Sequence, residues 1–197
     1  MREARLLVDL RGYWHPGGGR GGGAVVDAVT HRDSAGLPVL PGRHLKGLLR
    51  DALEQAETFG WARYAGCAET LFGQRAEFGG TGPEPGCLRV TDATLPPEIA
   101  AYLGCGPGKP LVRHLYRNLY STAVEFATGT ARDKSLRGIE VVVPLQLSAR
   151  LETVSGREPP PEDWVERLAG VLPLIDAVGA HRSRGLGRAV LSLEGLA

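Results

Sequence analysis

Between Gly179 and Arg188 the chain reads Gly-Ala-His-Arg-Ser-Arg-Gly-Leu-Gly-Arg, a stretch too rich in glycine to continue a helix or a strand. It separates an apolar segment of helical spacing from one that alternates as a strand does, so the chain must end as helix, tight loop and strand. Into that loop are packed His181, Arg182, Ser183, Arg184 and Arg188, with Gly185 and Gly187 between them. Guanidinium forks and closely approaching backbone N–H groups both suit phosphate oxygens. A surface turn with solvated charges is the plainer alternative.

A second basic cluster stands upstream, Pro41-Gly42-Arg43-His44-Leu45-Lys46-Gly47-Leu48-Leu49-Arg50. Leu45, Leu48, Leu49, Ala52, Leu53 and Ala56 recur at three- and four-residue steps, which predicts an amphipathic helix from Gly42 to about Thr58. Arg43, Lys46 and Arg50 fall on its other flank, with His44 in the first turn. Cations are disfavoured there by roughly 0.3–1 kcal/mol each, so a basic helix start makes sense if an anion meets the exposed N–H groups.

Bulk composition narrows the choices. A single domain spanning 1–197 is expected. Counts of 28 Gly and 14 Pro imply many loops. Three widely spaced cysteines, Cys67, Cys87 and Cys105, form no zinc pattern and point to a reducing, cytoplasmic setting. No apolar run suggests a bilayer span, so no membrane partner is expected. The net charge of +1 argues against a uniformly basic nucleic-acid binder. The basic residues nonetheless cluster at 43–50, 113–117, 132–137 and 181–188, which permits one basic face.

Along the chain, residues 5–10 predict a first strand and 42–58 the first helix. Residues 59–110 read as an irregular insertion holding one strand, Cys87 to Thr91. A hairpin arm is expected at about 113–131. The strongest strand signal runs from Gly138 to Glu152 and is divided by Pro144. A helix from Pro161 or Glu162 to about Val178 and a strand from Ala189 to Leu193 complete the order. That order fits an α+β sandwich of the ferredoxin-like (RRM-like) kind, with a long insertion after the first helix and a C-terminal glycine-rich loop. Such a fold exposes one sheet face, a frequent RNA platform.

Some partial motifs lead elsewhere. Gly17-x-Gly19-x-x-Gly22 matches a dinucleotide fingerprint in form, but no helix opens there. Gly104 to Lys109 is one residue short of a phosphate-binding P-loop, and Pro110 stands where a hydroxyl residue is needed. His15, His31, His44 and His114 lack metal-ligand spacing on a common helix face.

Four segments in order carry a resemblance. They are Asp27-x5-Asp33 with Gly36-Leu37-Pro38-Val39-Leu40-Pro41-Gly42-x2-Leu45-Lys46-Gly47-x2-Arg50; Leu71-Phe72-Gly73 with Gly86-x-Leu88-x-Val90-x-Asp92-Ala93; Thr128-Gly129-x-Ala131 with Leu136-Arg137 and Glu140-Val141; and Arg182-Ser183-Arg184-Gly185-Leu186-Gly187. Together they resemble the RAMP superfamily of type III CRISPR effector complexes, most closely its repeated backbone subunits. The resemblance implies a ferredoxin-like core that binds CRISPR guide RNA along its sheet and glycine-rich loop, with Arg137 of the thumb-like segment in the RNA-binding set. It implies copies stacked head to tail, other effector-complex subunits and complementary target RNA as partners. It also implies that Asp27 is a catalytic candidate, cleaving target RNA with a divalent metal such as Mg²⁺ at that carboxylate. The Gly17 to Gly23 run would give its loop mobility. Two other roles stay open within the superfamily: a stand-alone endoribonuclease processing precursor CRISPR RNA through His31, His44 or His181, and a non-catalytic subunit capping one end of the guide. An RNA-independent assembly protein is a further alternative.

Overall fold

The computed structural model describes residues 3–19, 21, 26–75 and 84–196. Strand β1 (Glu3–Leu10) leads through a long segment to helix α1 (Gly42–Thr58), then α2 (Cys67–Phe72), β2 (Leu88–Val90) and α3 (Pro97–Gly104). A 3₁₀ turn (Lys109–Leu115) precedes the hairpin strands β3 (Tyr116–Ser121) and β4 (Arg137–Val142). Strand β5 (Gln146–Thr153), helix α4 (Trp164–Val171), 3₁₀ turns at Leu172–Leu174 and Arg182–Arg184, and β6 (Ala189–Leu196) follow.

The main sheet has the order β2-β5-β1-β6 and is antiparallel throughout. With α1 and α4 as the two crossovers, this is the ferredoxin-like arrangement the element order predicts. Alternation explains it: Ala4, Leu6, Val8 and Leu10 of β1, Leu147, Ala149 and Leu151 of β5, and Ala189 and Leu191 of β6 are buried. The apolar stripe of α1 from Leu45 to Ala56 packs into the same core with Trp164, Leu168 and Val171 of α4.

The other sheet face is open, and it differs from an aromatic stacking platform. None of the four strands contains an aromatic residue. The positions facing away from the core include Arg5, Arg89 and Arg150 beside Asp9, Glu152 and Glu194. A groove of about 870 Å³ runs along this face under the chain from Thr91 to Glu98.

Three differences from the sequence reading have physical causes. The span 59–110 holds α2 and α3 besides its one strand; both helices are too short to show a periodic stripe, and α3 buries only Leu103. The long strand signal after Gly138 is two strands in two sheets, because Pro144 interrupts it and β4 turns aside to pair with β3. The last helix stops at Val171, and Pro173, which has no N–H to continue the ladder, leaves a 3₁₀ turn in its place. The glycine run from Gly17 to Gly23 falls partly on residues 20, 22 and 23, outside the described residues.

Candidate nucleic-acid interface

The start of α1 fits tightly against the end of β2. A Cβ at Gly42 would sit on the carbonyl oxygens of Val90 and Thr91, so glycine alone lets the helix begin there. No acidic residue lies in the first turn and Pro41 offers no side-chain cap. The Gly42 N–H instead donates to Asp92 Oδ1 at 2.7 Å. The anion expected at this basic helix start therefore includes one supplied by the chain itself, from fifty residues downstream.

The glycine-rich loop meets the same end of α1. The Gly179 N–H donates to His44 Nε2 at 2.8 Å, and the Ala180 N–H to the carbonyl of His15 at 2.8 Å. Gly187 has φ +79°, and a Cβ on it would collide with the Val178 carbonyl oxygen. Its N–H donates to the Tyr13 carbonyl, while its own carbonyl accepts from Val178 N–H. His181, at φ +59°, and Gly185, at φ +85°, bracket the Arg182–Arg184 turn. The loop is thus a fixed structure that displays Arg182, Ser183, Arg184 and Arg188 to solvent.

Arg43 and His44 line a cleft with Gly17, Gly179 and Ala180. Burial, then the charge of Arg182, holds the His44 pKa below its ordinary 6.5. The two distant basic segments therefore converge, through Arg43 and His44 on one side and the loop on the other. Among the described residues, Arg43, Lys46, Arg182, Arg184 and Arg188 enter no ion pair.

Arg50 is placed otherwise than expected. Its Nε donates to Glu54 Oε1 at 2.8 Å, its side chain is only 12% exposed, and Arg75 binds Glu54 and Asp51 beside it. One helical turn beyond Lys46, the flank becomes a surface ion-pair cluster of Arg50, Glu54, Asp51 and Arg75, in which Arg50 is withdrawn from solvent. His44, too, uses Nε2 inside the protein.

Asp27 lies beside β4. Its N–H donates to the Gly138 carbonyl at 2.8 Å, and its Oδ2 accepts the Gly138 N–H at 2.9 Å. It is exposed, as is Arg137, the first residue of β4 and next in sequence to Gly138. The backbone around Asp27 is pinned rather than loose: Ala28 bridges Ile139, and Glu140 N–H donates to the Ala28 carbonyl. Glu140 Oε2 takes the Thr30 N–H at 3.0 Å and its hydroxyl, while Oε1 takes Arg32. The Arg32 guanidinium lies 3.7 Å from the centre of the Tyr116 ring. Burial raises the Glu140 pKa, but the hydrogen bonds from Thr30 and Arg32 outweigh it, and the net shift is downward.

Sequence reasoning missed Glu140 and Asp92 as organisers of the site, and the tie of Arg32 to Glu140. These bonds span 50 to 110 positions, and only the uncapped helix start at Pro41 hinted at a remote partner. It also passed over His15, which is buried, binds the Glu140 carbonyl through Nδ1 and places its ring 6.1 Å from that of His181.

One solved chain, from the cryo-EM structure of the type III-B Cmr-beta bound to cognate target RNA, superimposes with a TM-score of 0.69 at 11% identity, over 97% of this chain and 96% of that one. A chain from the type III-B Cmr-beta in its apo state gives 0.67 at 11% identity, with the same coverage of 97% and 96%. These likenesses are of fold. No curated protein sequence matches the chain. The sequence profile of the RAMP superfamily matches residues 8–190, nearly the whole of the ferredoxin-like core from within β1 to within β6. The chain belongs to the RAMP superfamily.

Proposed function

We propose that this chain is an RNA-binding subunit of a type III CRISPR effector complex, holding guide RNA by its phosphates between the start of α1 and the glycine-rich loop. The observation that carries this reading is the convergence of the two basic segments at the His44–Gly179 hydrogen bond. Arg43, Lys46, Arg182, Arg184 and Arg188 supply charge, and Ser183, Gly185 and Gly187 let the strand approach the backbone. Superfamily membership and the fold shared with Cmr-beta chains, one of them from a structure of Cmr-beta bound to cognate target RNA, support it. A mixed-charge sheet face without aromatics agrees with gripping a backbone while base pairing reads the sequence. Copies stack head to tail, a heterologous contact suited to following a strand.

Asp27 is proposed as the cleaving residue for complementary target RNA. Gly138 N–H donates to Oδ2, which orients the carboxylate of this exposed residue. No group of three or more His, Cys, Asp or Glu among the described residues could hold a metal. A divalent ion such as Mg²⁺ would have Asp27 as its one protein carboxylate, with phosphate oxygens and water as its other ligands. Such an ion, when bound, supplies charge to the reacting phosphate. Arg137, exposed at the start of β4, is proposed to contact the strand as well.

A processing endoribonuclease remains the second reading, favoured by the His15–His181 pair. The experiment that separates the two measures both reactions in one purified assembly. Target cutting lost in Asp27→Ala, with precursor processing untouched in His181→Ala, supports the effector subunit; the reverse pattern supports the processor.

A further inference from the structure

The His44–Gly179 bond marks where the two basic segments meet, and its geometry gives His44 a task of its own. We propose that His44 is a positioning residue whose Nε2 lone pair latches the Gly179 amide, docking the glycine-rich loop on α1, and that protonation of the ring opens this latch. The inference rests on the guide-binding reading only for its consequence in RNA affinity.

An imidazole accepts a hydrogen bond at Nε2 only when that nitrogen carries no proton. The 2.8 Å bond from Gly179 N–H therefore requires a neutral ring with its proton on Nδ1. Charging the ring sets an N–H against an N–H and removes the latch. The surroundings favour the neutral form. Arg43 and Lys46 lie on its own helix, Arg182 and His181 come from the loop, and His15 lies on the segment after β1. The carboxylate at this helix end, Asp92, is held by Gly42 N–H. Burial and Arg182 lower the affinity of the latched ring for a proton below that of a free one. Opening is therefore coupled to proton uptake. The latch is intact above the ordinary value of 6.5 and weakens as pH falls below it.

This direction is opposite to the usual one. Acid normally strengthens RNA binding by charging surface histidines. Here it also removes one anchor of the loop that carries Arg182, Arg184 and Arg188, leaving the bonds of Ala180 and Gly187 to His15 and Tyr13.

The test follows the Gly179 amide by NMR hydrogen exchange in the RNA-free full chain, corrected for intrinsic exchange, at about pH 7.5 and about pH 5.5. Wild type, His44→Gln and His44→Ala are compared, with circular dichroism confirming that each is folded. Gln offers an amide oxygen that accepts at either pH. Wild type is expected to lose Gly179 protection by about tenfold on acidification. His44→Gln keeps its protection at both values, and His44→Ala lacks it at both. Affinity for a labelled single-stranded RNA is expected to follow the same pattern, about five- to tenfold weaker with the latch open. Wild-type protection that ignores pH, or His44→Ala matching wild type, overturns the latch. RNA affinity unmoved by an opened latch overturns its coupling to binding. If no variant binds RNA at all, the guide-binding reading fails, while the exchange data still decide the latch.

Discussion

At the scale of single residues, position in sequence and availability in space diverge most clearly along α1. Arg43, Lys46 and Arg50 share one flank by spacing, but Arg50 is engaged by Glu54 and largely covered. Lys46→Ala and Arg184→Ala are each expected to weaken guide binding similarly for all sequences and to lower the salt slope by about one. Arg50→Ala is expected to leave that slope unchanged in the same filter-binding series. A loss confined to one guide sequence, for either of the first two, would count against phosphate contact. Asp27 is a sharper case. Asp27→Ala is expected to slow target cutting in the assembled complex by roughly a hundredfold or more while guide affinity stays within about twofold. Unchanged cutting removes Asp27 from the site. The carboxylate itself was legible in the sequence through its motif; its pairing with Gly138 across 111 positions was not.

At the scale of elements, the strong periodic signals were the readable ones. Helix α1 runs from Gly42 to Thr58, the bounds its apolar spacing predicts, because its stripe is long and unbroken. Helices α2 and α3 were not readable, since 6 and 8 residues give too few turns for a period to emerge. The hairpin was half readable: β3 was expected, but its partner β4 was joined to β5 until the fold separated them at Pro144. The glycine-rich loop owes its shape to close backbone approaches. Gly187→Ala is expected to cost about 2–4 kcal/mol in urea unfolding, combining a left-handed φ with a collision at Val178 O. Gly185→Ala has the positive φ but open space around it, and about 1 kcal/mol is expected. Equal costs would mean that the Val178 contact is unimportant.

The clamp that ties residues 28–32 to β4 has a pH signature. Glu140 has its pKa lowered on folding from 4.5, so its contribution to stability is complete above that value and is lost as pH falls through the folded one. Glu140→Gln is expected to flatten the part of the acid destabilisation that wild type shows below about pH 4.5, in parallel urea melts. Identical acid profiles would show that the clamp does not hold the ionised carboxylate.

At the scale of the whole molecule, the order of elements was enough to foresee the ferredoxin-like sheet, because alternation fixes which face of each strand is buried and two crossovers fix the strand order. What the order could not show was which surface is basic. A net charge of +1 is divided in space, with cations that enter no ion pair among the described residues at the loop and helix start, and a mixed open sheet. Among the described residues, no helix is long and apolar enough to cross a membrane. The most direct measurement is ultraviolet crosslinking of RNA in the natively purified assembly, with the linked peptides mapped by mass spectrometry. The account predicts adducts on residues 42–47 and 179–188, competing together as salt is raised. Adducts confined to the open sheet face, around Arg5 and Arg150, or an assembly that carries no RNA, would contradict it.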